Sequence, residues 1–332
     1  MPRRSARLNR CPFAGGTGYT SLLSHAAGAL LPFLSTFDAR SLRLVCREAR
    51  AAVAAHPWED AGFWSESEKV WVSGTLIGLP GEPTRAALAR WRACFPHARG
   101  ASLAERCDVT DADFAAHLRG MRSLDLIGCG QLTDATFAHL RGVRTLLISG
   151  CDQAGLTDAA FAHLRGSLRL LVCGDCPQLT DGALAHLRGI HTLVMWSMGD
   201  AITDAGLAHV AGVRTLVIGG VEGVSGAAFA RLQGVERLLM WGCTGVEPGA
   251  LRHLGGSLRT LDISYCPQMD DTVFDHLAGV RVLSLRGNKQ LTGAALRQLR
   301  GLEEVDATGC APSMRRAVAD LARVGRASGL PP

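Results

Sequence analysis

From Met121 onward the apolar residues switch period twice within every 22 to 24 positions. Each unit opens with alternation, as in Leu146-x-Ile148, Leu193-x-Met195 and Leu261-x-Ile263, the spacing of a half-buried strand. It then places apolar residues three apart, as in Phe137/Leu140, Phe161/Leu164 and Phe274/Leu277, which predicts a short helix. The pairs Thr133-Asp134, Thr157-Asp158, Thr180-Asp181 and Thr203-Asp204 open these helices. Thr is a good N-cap, and an Asp in the first turn suits the helix dipole. A Gly then closes each helix. The cleanest copies are Met121–Gly142, Val143–Gly166 and Ser167–Gly189, and the pattern runs on through Val280–Gly301. A degenerate copy, roughly Ala98–Gly120, precedes them, and a closing one starts at Leu302. One such unit cannot bury its own apolar face, whereas stacked units can. The expected fold is therefore an α/β solenoid, a horseshoe with a parallel concave sheet and convex helices.

One column sharpens this reading. Cys129, Cys151, Cys176, Cys243, Cys266 and Cys310 recur at the same place in the unit, and Asn288 stands in once. The chain turns inward there, and a small buried polar side chain can bond neighbouring backbone. Met198 and Val221 fill the column in two units, where such a ladder should be weaker. The units resemble the cysteine-containing class of leucine-rich repeats, over roughly Ala98 to Gly325.

The segment before the repeats has different chemistry. Leu30, Leu31, Phe33 and Leu34 form an apolar stretch, with Pro32 expected to kink the helix that holds it. From Asp38 the spacing of Leu42, Val45, Ala49 and Val53 predicts a second helix, ended by His56-Pro57-Trp58. Leu30-Leu31-x-Phe33-Leu34, then Asp38, Leu42 and Val45-Cys46-Arg47, then Pro57-Trp58, resemble successive parts of an F-box. The expected organisation is a flexible tail at 1–21, a small all-α F-box-like segment at 22–60 and a linker at 61–97. The repeats then occupy 98–325, and 326–332 form a C-terminal tail. Within the linker, Leu88, Trp91 and Phe95 mark one face of a helix.

Composition narrows the function. Of 332 residues 47% are hydrophobic and 20% charged, enough to bury a core. The net charge of +5 is mild, and apart from Arg3, Arg4, Arg7 and Arg10 the basic residues are spread through the repeats, so no nucleic-acid partner is expected. The 11 cysteines recur mostly once per unit, which argues for reduced thiols and a cytoplasmic or nuclear location. Cys11 to Thr20 lacks an apolar core, and Ala26 to Leu34 is interrupted and short, so neither a signal peptide nor a membrane span is expected.

The candidate partner-binding residues are the strand positions that point away from the core. One row reads Asp125, Leu147, Val172, Val194, Val217, Leu239 and Asp262. The other holds Ile127, Trp196 and Trp241, with Gly219 between the tryptophans. Adjacent strands lie ~4.8 Å apart, so an apolar slot about 10 Å wide with aromatic walls is expected, and Trp is a frequent hot spot. The histidine series His117 to His276 reads as a repeated consensus residue rather than a metal site, since packed helices sit ~8–10 Å apart. Cys173-x-x-Cys176 lacks the second pair of a zinc site, and Gly15-Gly16-Thr17-Gly18 lacks the Lys of a phosphate-binding loop. Cys46 or Cys94 as a nucleophile would need His56 or His97 as its base. No catalytic site, cofactor or metal is expected.

Together the two resemblances imply a substrate receptor of an SCF-type ubiquitin ligase. Leu30, Leu31, Phe33, Leu34, Leu42 and Val45 would bind the adaptor subunit, and through it cullin, while the concave face holds a protein substrate. The alternative is an interaction scaffold outside ubiquitin chemistry whose N-terminal helices merely cap the first repeat.

Overall fold

The computed structural model describes residues 31–45, 47–59, 62–65, 70–73, 77, 82–151 and 155–327. Leu30, Cys46, the Gly15–Gly18 motif and both expected tails, save 326 and 327, lie outside them, as does the side chain of Phe33.

The alternating halves form ten parallel strands in chain order: β3 (Gly100–Ser102), β4 (Ser123–Asp125), β5 (Thr145–Leu147), β6 (Leu170–Gly174), β7 (Thr192–Gly199), β8 (Thr215–Val221), β9 (Arg237–Trp241), β10 (Thr260–Asp262), β11 (Val282–Ser284) and β12 (Glu304–Asp306). Two earlier strands, β1 (Gly62–Ser65) and β2 (Val70–Ser73), make an antiparallel hairpin the sequence did not announce. Register follows the repeat, so Leu146, Leu171, Leu193, Leu216, Leu238 and Leu261 align strand to strand. Side chains from this row and from the helical halves share one core that runs from Leu31 to Met314. Its aromatic spine includes Phe137 and Phe161, whose rings lie 5.5 Å apart.

The helical halves are short, and several tighten to 3-10 geometry, as at Asp158–Leu164, Pro248–Leu254 and Asp271–His276. A unit this brief leaves room for little more than one turn. Thr133, Thr157, Thr180 and Thr203 each accept from the backbone N–H two residues on, as Thr157 does from Ala159. The following Asp does more than meet the dipole. Asp158 accepts from the N–H of Thr180 in the next unit at 2.8 Å and from its hydroxyl at 2.5 Å. Asp134 and Asp181 do the same to Thr157 and Thr203. Each carboxylate thus staples its unit to the next.

The inward turn carries a second ladder. Cys129, Cys176 and Cys310 thiols donate to the carbonyls of Leu103, Ile148 and Leu285 in the preceding unit at 3.2, 3.1 and 2.9 Å. Asn288 does it twice over, donating to the Ile263 carbonyl at 2.7 Å and accepting from the Cys266 N–H at 3.0 Å. Met198 and Val221 have no polar hydrogen to contribute.

At the N-terminal end the single helix expected from Asp38 is two. Helix α1 (Thr36–Leu42) is opened by a capping box between Ser35 and Asp38, and α2 (Arg47–Ala55) follows a break. Pro32 sits in a 3-10 turn, Leu31–Phe33, separate from both. Trp58, 1% exposed, closes the sheet edge: its carbonyl accepts from the N–H groups of Arg99 and Gly100 at 2.6 and 2.8 Å. Helix α3 (Thr84–Cys94) adds Leu88 and Trp91 to this end, and Phe95 just beyond it meets Trp58 edge-on. At the other end helix α4 (Pro312–Ala327) buries Met314 against the last unit.

Candidate functional site

The face of the sheet turned away from the helices is where repeat geometry places side chains that the core does not need. Its middle row, Leu147, Val172, Val194, Val217 and Leu239, forms a second apolar cluster distinct from the core. The sequence placed this row at the partner surface, and the structure corrects that: all five are at most 2% exposed. The cause is sideways crowding. Parallel strands bring the five together, half-buried Leu170, Thr192 and Thr215 flank them on one side, and two indoles lie on the other. Asp125, also counted as a contact residue, is fully buried, accepting from the Ser102 hydroxyl at 3.0 Å and the Ile127 N–H at 3.2 Å. Asp262 is half-buried and takes the Ser264 N–H at 2.9 Å.

The tryptophans are half-buried and stay on the open face, and both lean toward the preceding strand. Trp196 is paired with Gly174, and Trp241 with Gly219. A Cβ on Gly174 would fall 2.2 Å from the Trp196 ring, and one on Gly219 the same distance from Trp241. Gly219 is therefore the seat of an indole, and the expected open slot between the two rings is filled. Each glycine is small because a ring lies on it. The Trp196 indole N–H donates to Asp175 at 3.2 Å, which fixes its tilt. What stays accessible here is the outer surface of Ile127, Trp196 and Trp241 over a sealed apolar floor.

The turn after each strand adds residues that sequence reading passed over. Gly128, Gly150, Gly220 and Gly242 take φ near +60 to +70° there, a conformation that costs other residues roughly 1–2 kcal/mol. Asp175, Ser197 and Tyr265 adopt it nonetheless, at φ 52, 51 and 56°. Tyr265 is 61% exposed and lies over Gly287. A non-Gly residue in a glycine column was the available signal.

The buried thiols of the strands and the inward turn are poor nucleophiles. Burial pushes the Cys266 thiol up to about 12 and raises those of Cys129, Cys173, Cys176 and Cys243. A nucleophile needs the opposite shift. Cys94 is half-buried against the Arg43 guanidinium. The histidines of the series are half-buried on the helical side, and among the described residues no three metal-ligating groups converge. Within the same residues no helix is long and apolar enough to cross a membrane.

Of the N-terminal candidates, Leu31 is buried, Leu34 and Leu42 are half-buried, and Val45 is 62% exposed. Leu44, which the sequence reading did not single out, is 69% exposed beside it. Both lie where α1 breaks from α2.

The fold is that of a leucine-rich-repeat solenoid. No family model matches the chain, and no curated protein matches it. Solved structures do. A chain of the yeast Rad7–Elc1 complex is 17% identical across 87% of this chain and 76% of its own, with a TM-score of 0.53. A chain of the TLR13–ssRNA13 complex is 18% identical across 68% of this chain and 35% of its own, at 0.51. An internalin of Listeria monocytogenes is 18% identical across 65% and 69%, at 0.49.

Proposed function

We propose that this chain is a substrate receptor of an SCF-type ubiquitin ligase, in which the N-terminal helices dock on the adaptor, and through it cullin, and the open sheet face holds a protein substrate. The observation that carries the reading is the pair Leu44 and Val45, exposed at 69% and 62% in the turn between α1 and α2, while Ala39, Ala49 and Val53 of those helices are buried. Leu31 belongs to the core and Leu34 and Leu42 pack against it, so in this reading they set the turn's position rather than meet the adaptor. The fold likeness to a chain from the Rad7–Elc1 complex is consistent, because 87% coverage extends beyond what the repeats alone could supply. On the open face, Trp196, Trp241, Ile127 and Tyr265 are the contacts, with Asp262 at one end and the row from Leu147 to Leu239 as their floor. The chain's contribution is proximity: it holds a target beside an enzyme supplied by other subunits.

The test is co-purification of the full chain with the adaptor subunit, comparing wild type with Leu44→Asp/Val45→Asp. Both side chains are exposed, so the variant keeps its fold while losing the adaptor. Failure of the wild type to retain the adaptor refutes the reading.

A second reading has its own observation. The carbonyl of Trp58 and the bridge between Glu59 and Gly100 close the first strand as a solenoid cap would. If capping is the segment's whole role, the chain is an interaction scaffold outside ubiquitin chemistry. The Leu44/Val45 variant would then bind every partner as the wild type does.

A further inference from the structure

Basic residues that are scattered along the sequence are gathered by the fold. The position just before each strand holds Arg122, Arg144, Arg169 and His191, and the backbone ties them side by side: Arg144 N–H to Arg122 carbonyl at 2.7 Å, Arg169 to Arg144 at 2.7 Å, His191 to Arg169 at 2.9 Å. The position just before each closing glycine holds Arg119, Arg141, Arg165 and Arg188, all exposed. The two rows share one edge of the solenoid. Arg169 reaches the carbonyl of Gly189 at 3.0 Å, and Arg165 lies 2.8 Å from the His186 ring. Among the described residues none of these arginines has a carboxylate within ion-pairing distance. Pairing begins only where Glu236 enters the column and meets Arg214 at 3.0 Å. Asp134, Asp158 and Asp181 open the helices at the opposite edge. The first half of the solenoid is thus polarised across its width, which corrects the expectation that its basic residues are merely spread out.

We infer that this arginine edge binds an acidic polypeptide segment, as a surface separate from the open face and independent of the receptor reading. Unpaired guanidinium groups in a row repel one another until an anionic partner neutralises them. Their planar forks match carboxylates two oxygens at a time. Apart from His191 neither row contains an aromatic side chain, so the stacking platform that unpaired nucleic-acid bases use is nearly absent.

Fluorescence anisotropy of a labelled oligoglutamate, titrated with the full chain at low and at physiological ionic strength, tests this. Arg141→Glu/Arg144→Glu is compared with Arg315→Glu/Arg316→Glu, two exposed positions in α4 that change net charge equally. The edge variant should lose roughly tenfold or more in affinity, about 1.4 kcal/mol, and the control should lose little. Three results would overturn the inference: no oligoglutamate binding by the wild type, equal losses in both variants, or tighter binding of duplex DNA or single-stranded RNA of matched charge. Adaptor co-purification reads a different surface, so either proposal can fail alone.

Discussion

Gly219→Ala tests the aromatic seat directly. The added methyl carbon would lie 2.2 Å from Cε2 of Trp241, where carbon atoms in contact rest at about 3.5–4.0 Å. The ring must therefore retreat by about 1.5 Å or swing into solvent. If it stays, overpacking costs ~1–3 kcal/mol. If it leaves, a half-buried indole forfeits on the order of 100 Å² of contact at about 25 cal/mol per Å², or ~2.5 kcal/mol. Both routes converge on about 2 kcal/mol. Gly219 has no positive φ, so alanine brings no backbone strain of its own. With Trp241→Ala already in place the methyl loses its three nearest neighbours, all atoms of that ring, and the same substitution should cost close to zero. Guanidinium unfolding followed by far-UV circular dichroism, run as a double-mutant cycle, should give a coupling of about 2 kcal/mol. An equal cost in both backgrounds would refute the seat.

Three further expectations concern the frame. Asn288→Ala removes a donor and an acceptor at a site 1% exposed and should cost ~3 kcal/mol, whereas Cys310→Ala, which loses one thiol bond, should cost ~1 kcal/mol; denaturant midpoints compare the two. Because burial holds the Cys266 thiol up to about 12 against an ordinary 9.0, the folded chain keeps a proton that the unfolded chain releases. That stability is whole below about pH 9 and drains away as pH climbs toward 12, so midpoints measured at pH 7, 9 and 10 should fall in that order, and a flat profile would contradict it. Ser197→Gly relieves a left-handed residue at φ 51° and should raise stability by about 1 kcal/mol in the same assay; no gain would contradict the strain.

The period, the sheet and the cysteine column were legible because each depends on a residue's place within its own unit. Leu146-x-Ile148 announces a strand whatever follows it, and Cys176 needs only the unit before it. What escaped reading depends on the distance between units. Asp158 looks like a helix-dipole residue until the next unit sets Thr180 against it. Val194 looks accessible on a strand taken alone, and crowding by Val172 and Val217 buries it. Arg144 and Arg169 stand 25 positions apart in the chain and share a backbone hydrogen bond in the fold. Trp241 and Gly219 were both noticed, but which way the ring leans is a property of packed neighbours. The break between α1 and α2 escaped because Leu42, Val45, Ala49 and Val53 keep helical spacing straight through it.

Strand length rises toward the centre of the sheet: β7 and β8 have 8 and 7 residues, while β3, β4, β11 and β12 have 3 each. Backbone pairing is therefore richest in the middle, beside the units where Met198 and Val221 interrupt the thiol ladder, and thinnest at the flanks. In an array whose members touch only their neighbours, such grading makes the periphery expendable. Whole units could be gained or lost near either end over evolutionary time while the stretch bearing both tryptophans endures, so overall span and binding chemistry are free to diverge separately.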